Sequence, residues 1–255
     1  MLMRSYVASG FLFDRQELAS LARRYAAQFS EATPFAHVVI DNFLPQHVAS
    51  ALCTEFPRAD RDGWLRWGPG PGSREPLSSN DKLGMSDEGH FPEPLRHFAM
   101  QLCSATFITF IQQLAGISGL LADPFFAGCG LHSTGRGGRL RIHSDASRHP
   151  YGLPFHQAIN VILYLNEDWK EEFGGNLELW SRDARRCERS IAPLFNRLVV
   201  FETHSHSYHG HPHPLECPTD RRRNSIASYY YVVDRQKSAD YQGYRSRPQW
   251  VTESN

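Results

Sequence analysis

The segment Arg141-Ile-His-Ser-Asp145 places a histidine and a carboxylate two residues apart. Side chains on a β-strand alternate between its two faces, so His143 and Asp145 are expected to project from the same face. An imidazole and a carboxylate on one face form half of a metal site. The chain must therefore fold so that a further ligand, carried by another strand, reaches this face.

The further ligand is expected among the histidines that follow the strand-like segment Arg197–Phe201. They are His204, His206, His209, His211 and His213. Two histidines and one carboxylate leave three coordination positions open, as in non-haem Fe(II) sites. His209 is favoured because it lies in the turn after the strand and precedes Gly210. The alternatives are that a neighbouring histidine is the ligand, or that this turn binds a second metal such as zinc.

A strand is also predicted over Arg223–Tyr231, where the same alternation recurs. One face of it carries Arg223, Ser225, Ala227 and Tyr229. A guanidinium on that face can bind a carboxylate through two parallel hydrogen bonds. Arg222 falls on the opposite face and Arg221 in the turn before the strand, so neither is expected to serve this role.

A third strand is predicted between these segments, over Ala158–Asn166. Its apolar face, which is expected to pack in a core, carries Ile159, Val161, Leu163 and Leu165. Its mixed face carries Asn160, Ile162 and Tyr164. This second face is predicted to line a pocket.

In their order and spacing, these segments resemble the 2-oxoglutarate/Fe(II) dioxygenases of the prolyl 4-hydroxylase type, which include the oxygen-sensing prolyl hydroxylases. The resemblance is carried by six motifs: His143–Asp145, Tyr164–Trp169, Gly174–Leu179, Ile191–Phe201, His209-Gly210 and Arg223–Tyr231. A His-x-Asp triplet alone occurs by chance in many proteins. The whole set in the family's order is specific.

The resemblance implies a double-stranded β-helix, a cupin-type jelly-roll of two facing antiparallel sheets with N-terminal helices against one of them. It implies Fe(II) held by His143, Asp145 and His209, with Arg223 anchoring the cosubstrate 2-oxoglutarate. Further cosubstrate contacts are expected from Tyr164, Asn160 and Ser225. The implied reaction uses O2 to hydroxylate an unactivated C–H bond, releases succinate and CO2, and takes ascorbate as reductant. Related halogenases have a small residue in place of the carboxylate ligand, so Asp145 favours hydroxylation.

Two positions depart from the family. Gln157 stands seven residues before Tyr164, where many relatives carry an arginine, and Ser133 stands ten residues before His143, where the oxygen sensors carry a tyrosine. Both positions are expected to border the pocket. The substrate therefore stays open between peptidyl proline, another protein side chain, a free amino acid and a small molecule.

Two rival functions would retain the metal ligands. One is a non-catalytic jelly-roll that binds or senses metal, and the other is a cupin-type isomerase that does not use 2-oxoglutarate. Neither requires an arginine such as Arg223 to face Tyr164.

Composition and charge exclude several classes of protein. The 255 residues are 41% hydrophobic and 21% charged, as in ordinary globular domains, and the 27 basic and 27 acidic residues cancel. Neither a nucleic acid nor a membrane is therefore expected as a partner. The five cysteines are odd in number and widely spaced, which predicts reduced thiols. Because no apolar run has the length of a signal peptide or a membrane span, a cytoplasmic protein is expected. No pattern indicates an oligomeric state.

A single domain is predicted over residues 1–255. Residues 1–120 supply helical support and N-terminal strands, 121–235 the jelly-roll core and 236–255 a tail. The core strands are predicted near 139–145, 158–165, 176–180, 198–202 and 223–231. Residues 64–80 are rich in glycine and proline and predict a long loop, which is a candidate lid.

The first helix is predicted to start at Asp14, the first residue of a capping box that ends at Glu17. One or two helices are predicted between Pro94 and Gly116, with Ser104 as a break or cap. The glycine-rich segment 128–138 precedes a strand and lacks the P-loop lysine, so it predicts a turn or hairpin rather than a phosphate-binding loop.

Overall fold

The computed structural model describes residues 12–66, 81–145, 149–150, 153, 155–233 and 249–250. The α-helices within these ranges are α1 Arg15–Ser30, α2 Gln46–Thr54, α3 Glu93–Leu102 and α4 Ala105–Ala115. The strands are β1 His37–Ile40, β2 Leu65–Arg66, β3 Lys82–Met85, β4 Leu121–Ala122, β5 Gly130–Thr134, β6 Leu140–Ser144, β7 His156–Tyr164, β8 Leu177–Trp180, β9 Cys187–Ile191, β10 Arg197–Glu202, β11 His209–His211, β12 Arg223–Val232 and β13 Gln249–Trp250.

The helix ends follow from their capping residues. Asp14 accepts hydrogen bonds from the backbone N–H groups of Gln16 and Glu17 at 2.8 and 2.9 Å, which starts α1 as predicted. Ser104 accepts from the N–H of Phe107 at 3.2 Å and so separates α3 from α4. Gly116 ends α4 in the left-handed conformation, with φ 68°, which glycine adopts without steric cost.

Two antiparallel sheets form the centre of the molecule. The major sheet has the strand order β1-β10-β7-β12-β5-β3-β2, with β4 added beside β12. The minor sheet has the order β13-β6-β11-β8-β9. All five predicted core strands are present within one or two residues of the expected bounds. The predicted jelly-roll is confirmed.

The major sheet separates two apolar cores, as the alternation of its side chains predicts. On its outer face Leu131, Leu163 and Ile226 pack with residues of α3 and α4, such as Phe98 and Phe107. On its inner face a smaller cluster fills the space between the sheets: Phe35, Tyr164, Leu177, Leu179, Ile191, Val199 and Phe201. The helices therefore support the outside of the major sheet, and the inside faces the minor sheet.

The structure contains strands beyond the predicted core strands. β3 lies beside β5 and was not expected, while β13 pairs with β6 within the segment predicted as a tail. Trp64, at the start of the predicted lid loop, donates its indole N–H to the carbonyl of Arg58 at 2.8 Å. Residues 67–80 of that loop lie outside the described residues.

The five cysteines are free thiols, as predicted. Among the described helices, none alone has the length and apolar character to cross a membrane; α3 and α4, bent by 51° at their junction, meet those criteria only as a pair.

The two faces of β12 predict opposite responses to mutation. Ile226→Ala removes a buried side chain from the outer core and should lower the free energy of unfolding by about 2–5 kcal/mol. Ser225→Ala, one residue away on the inner face, should change it by less than about 1 kcal/mol. Urea unfolding of the metal-free variants measures both values. Equal losses would contradict the alternation of the strand.

Candidate metal and cosubstrate site

The three predicted metal ligands meet where β6 and β11 lie side by side in the minor sheet. His209 is the direct antiparallel neighbour of His143, and Asp145 follows at the end of β6. One ligand atom from each of the three residues lies within 4.8 Å of the others, and no other such cluster of His, Cys, Asp or Glu side chains occurs among the described residues. The distal histidine that the sequence favoured is therefore the one placed beside His143.

The backbone fixes which nitrogen of each histidine faces the site. The Nδ1 atom of His143 lies 2.8 Å from the carbonyl oxygen of Arg141, and that of His209 lies 2.9 Å from the carbonyl oxygen of Ser207. A carbonyl oxygen only accepts, so each Nδ1 carries the proton and donates. Each Nε2 then presents its lone pair, which is the form of histidine that binds a metal.

The two carboxylate oxygens of Asp145 have different partners. Oδ1 lies 3.5 Å from Nε2 of His143 and 3.7 Å from Nε2 of His209. Oδ2 accepts hydrogen bonds from the side-chain amides of Gln157 at 3.0 Å and Asn160 at 3.1 Å. These amides leave Oδ1 as the oxygen available to a metal, so Asp145 is arranged as a ligand through one oxygen.

This donor set fits Fe(II). Adjacent ligands of an octahedral ion with bonds of about 2.1 Å are roughly 3 Å apart, slightly closer than the observed separations, so a small side-chain rotation completes the site. Burial lowers the pKa of His209 to about 4, which keeps its ring neutral. Burial alone would raise the pKa of Asp145, but the neighbouring His209 and His143 and the Asn160 amide lower it below its usual range. The carboxylate is therefore ionised.

Gly210 allows the two histidine-bearing strands to approach each other. A Cβ atom at this position would lie 2.7 Å from the carbonyl oxygen of Arg141 and 2.8 Å from that of Leu140. The pairing of β11 with β6 shifts register between His209 and His211, around this glycine. A side chain here would push the strands apart at the metal site.

The predicted anchor, Arg223, lies on the inner face of the major sheet. Its Nε donates to the carbonyl of Gly175 at 2.7 Å, and its Nη2 donates to the hydroxyl of Tyr164 at 3.0 Å. Ser225, two residues on, pairs across the strands with Tyr164. Arg223 is buried, and within the described part of the chain it forms no ion pair. An anion is the partner that such a guanidinium lacks.

The neighbouring Arg222 faces the other side of the sheet, as predicted. Its guanidinium binds both carboxylate oxygens of Asp81 at 3.0–3.1 Å. It also donates to the hydroxyl of Ser133 at 2.8 Å. Ser133 therefore belongs to this outer cluster, and the expectation that it borders the metal site is wrong. Ser133 was placed by counting ten residues back from His143. That count crosses the turn at 135–138, and strand alternation does not continue through a turn.

Two basic residues of the inner face were missed by the sequence analysis. His132 pairs with Ser225, and Lys82 pairs with Thr134, which in turn pairs with Arg223. Both side chains therefore share a face with the anchor. Burial, and then the charge of Arg223, lowers the pKa of Lys82 to about 7. The sequence contained a signal for His132: on a strand, His132 and Thr134 share one face and Ser133 lies on the other.

Gln157 and Asn160 have roles that the sequence did not specify. The contact of Asn160 with the cosubstrate stays a prediction. Its amide nitrogen donates to Asp145, and its Oδ1 has no hydrogen-bond partner among the described residues. Gln157 was noted only as a departure from the family. Both hold the metal carboxylate in position.

The triad predicts a selective loss of metal affinity. His209→Ala removes one of three ligands and should weaken binding of Zn(II), a redox-inert probe, by on the order of a hundredfold or more. His206→Ala alters the same turn without removing a ligand and should leave the affinity unchanged. Isothermal titration calorimetry measures both. Tight binding by His209→Ala together with loss in His206→Ala would show that the distal ligand is misassigned.

Gly210→Ala should act on the metal site through the backbone. The added Cβ requires β11 to move away from β6, so the affinity for Zn(II) should fall by at least about tenfold although no ligand is removed. Gly89→Ala is a suitable control for glycine replacement, because its φ is not positive and an added Cβ would meet only the exposed carboxylate of Asp87, at 3.2 Å. Unchanged metal affinity in Gly210→Ala would contradict the close approach of the strands.

Known proteins resemble this chain in sequence and in fold. Residues 129–231 match the family described as the 2OG-Fe(II) oxygenase superfamily. The mouse protein Prolyl 3-hydroxylase OGFOD1 is 34% identical over 77 residues, which cover 29% of this chain and 14% of that protein. The chain thus spans about a seventh of the length of this relative.

Solved structures of prolyl hydroxylases share the fold. The prolyl hydroxylase of Trichoplax adhaerens, in complex with a peptide fragment of hypoxia inducible factor, has a TM-score of 0.60 and 17% identity, and the match covers 85% of this chain and 91% of that one. The prolyl-4-hydroxylase of Pseudomonas putida has a TM-score of 0.55 and 21% identity, with 84% and 98% covered. The segment that carries the triad, residues 129–231, is thus similar to the 2OG-Fe(II) oxygenase superfamily, and the wider chain shares the fold of prolyl hydroxylases.

Proposed function

We propose that this protein is an Fe(II)- and 2-oxoglutarate-dependent dioxygenase that hydroxylates an unactivated C–H bond and releases succinate and CO2. The observation that carries the proposal is the position of Arg223. It is a buried guanidinium with neutral hydrogen-bond partners, and it lies on the sheet that faces the metal triad. A dicarboxylate that binds the metal through one end would meet Arg223 with the other.

At the metal end, the protein supplies two imidazoles and one carboxylate oxygen. The carbonyls of Arg141 and Ser207 hold the rings of His143 and His209 in the metal-binding tautomer. The amides of Gln157 and Asn160 hold the second oxygen of Asp145. Three coordination positions stay open for cosubstrate and O2. Bound iron would supply the activation of O2, with two electrons from the decarboxylation of 2-oxoglutarate and two from the substrate C–H bond, while ascorbate would return oxidised iron to Fe(II).

At the other end, the protein positions the cosubstrate and excludes water. Gly175 and Tyr164 fix the guanidinium of Arg223 in one orientation, so little side-chain entropy is lost when a carboxylate binds. Tyr164 accepts from Arg223 and keeps its own O–H to donate. Ser225 lies beside Tyr164 and is buried. Burial around these groups strengthens their interaction with an anion.

A peptidyl side chain or a small molecule is the substrate that we propose. The support is an analogy: the Trichoplax neighbour is in complex with a peptide fragment, and the mouse relative is named a prolyl 3-hydroxylase. Gln157 stands where many relatives carry an arginine, and its amide is committed to Asp145. Neither rival function, metal sensing or a cupin-type isomerisation, requires Arg223 to be held in this orientation.

Succinate formation tests the proposal. With Fe(II), ascorbate and O2, the protein should convert 2-oxoglutarate to succinate, faster when a substrate from a panel of amino acids and proline-rich peptides is present. Arg223→Ala should raise the 2-oxoglutarate concentration needed for half-maximal rate by on the order of a hundredfold, because it removes charge-assisted hydrogen bonds of about 1.5–3 kcal/mol each.

Arg221→Ala is the matched control, since Arg221 is exposed and donates to the carbonyl of Glu167. It should leave the 2-oxoglutarate requirement unchanged. Equal effects of the two substitutions would indicate a general basic patch. A protein that binds metal but forms no succinate under any condition of the screen would favour the non-catalytic rival.

A further inference from the structure

His211 is a buried histidine to which the proposed function gives no role. It lies two residues after His209 on β11, so both rings project from the same face of the strand. Its side chain is buried, and neither ring nitrogen has a hydrogen-bond partner in the part of the chain that the structure describes. Buried polar groups are nearly always hydrogen-bonded, so an imidazole that lacks both partners indicates a missing ligand.

The strand pairing places His211 near the anchor. β11 is antiparallel to β8, with His209 beside Leu179 and Gly210 beside Glu178, so the ladder runs from the metal ligands toward the start of β8. The carbonyl that holds Arg223 belongs to Gly175, two residues before that strand begins. His211 therefore lies between the triad and Arg223.

The charges around His211 favour an anion. The cationic side chains whose charge acts on its ring are Arg223 first and then Lys82. His211 does not belong to the cluster of metal ligands. A neutral imidazole has one N–H to donate and one lone pair to accept, so it can serve an anion and a basic neighbour together.

We propose that His211 binds the distal carboxylate of 2-oxoglutarate, donating a ring N–H to the same group that Arg223 holds. The inference rests on the proposed function and adds a second cosubstrate-binding side chain, contributed by the minor sheet. Arg223 approaches the carboxylate from the major sheet, so the two donors hold it from both layers of the sandwich.

The test compares His211→Leu with His213→Leu. His213 lies two residues further along, with its side chain 80% exposed. Calorimetric titration of the Zn(II)-loaded protein with 2-oxoglutarate should show about tenfold weaker binding for His211→Leu and no change for His213→Leu. Zn(II) affinity, measured separately, should be the same in both variants. His211→Gln, which restores an N–H donor, should recover part of the cosubstrate affinity.

A double-mutant cycle shows whether the two donors share one carboxylate. If they do, the loss caused by His211→Leu should differ by several-fold between the wild-type and the Arg223→Ala background. Thermal melting of the metal-free protein gives an independent readout. His211→Leu should melt at a higher temperature, because an apolar side chain replaces an unpartnered polar one.

The outcomes separate this inference from the proposed function. A wild-type protein that binds Zn(II) but not 2-oxoglutarate would overturn the proposed function itself. Wild-type binding of 2-oxoglutarate that His211→Leu retains in full would overturn only the role of His211. A loss of cosubstrate affinity that merely follows a loss of Zn(II) affinity would also overturn it, since His211 would then act through the metal ligands.

Discussion

The pairing of β6 with β11 is the constraint on which the site depends. It makes His143 and His209 direct neighbours, with ring centroids 4.5 Å apart. The approach requires a glycine at position 210, where a Cβ would meet two carbonyl oxygens of β6. Because both tautomers are fixed by carbonyls two residues away, the geometry of the ligands is local to these two strands. The rest of the fold keeps the strands in register and shields them from water.

Charge is distributed unevenly along the space between the sheets. Asp145 is compensated where it stands, by two imidazoles and two amides. At the other end, Arg223 and Lys82 share a row of the major sheet through Thr134, and the hydrogen bonds described for Arg223 go to neutral acceptors. Burying the guanidinium of Arg223 without a counter-charge lowers stability, and a carboxylate bound to Arg223 would offset that cost.

Within a long strand, the sequence predicts which face each side chain occupies. The prediction fails where a turn or a short strand interrupts the alternation. The faces of Arg222 and Arg223 follow from period-two alternation within one strand, and both are as predicted. Ser133 was placed on the wrong face because its assignment was counted across a turn. Lys82 was missed because the strand that carries it, Lys82-Leu-Gly-Met85, has four residues and contains a glycine. The pairing of Gln157 with Asp145 joins residues on different strands, which a sequence without homologues does not reveal.

The metal ligands and the arginine anchor belong to different sheets, so the distance between the sheets limits the length of a ligand that contacts both. Packed sheets are about 10 Å apart, a spacing set here by the cluster that includes Leu179, Val199 and Phe201. Under the proposed function, a keto acid held by both the metal and Arg223 would have to bridge that gap, so a homologue one methylene shorter would not reach Arg223 and a longer one would have to bend. Selection among keto acids would then be a property of the core itself. Replacing Phe201 by a larger or a smaller side chain would change which keto acid is selected, although Phe201 donates no hydrogen bond to any ligand.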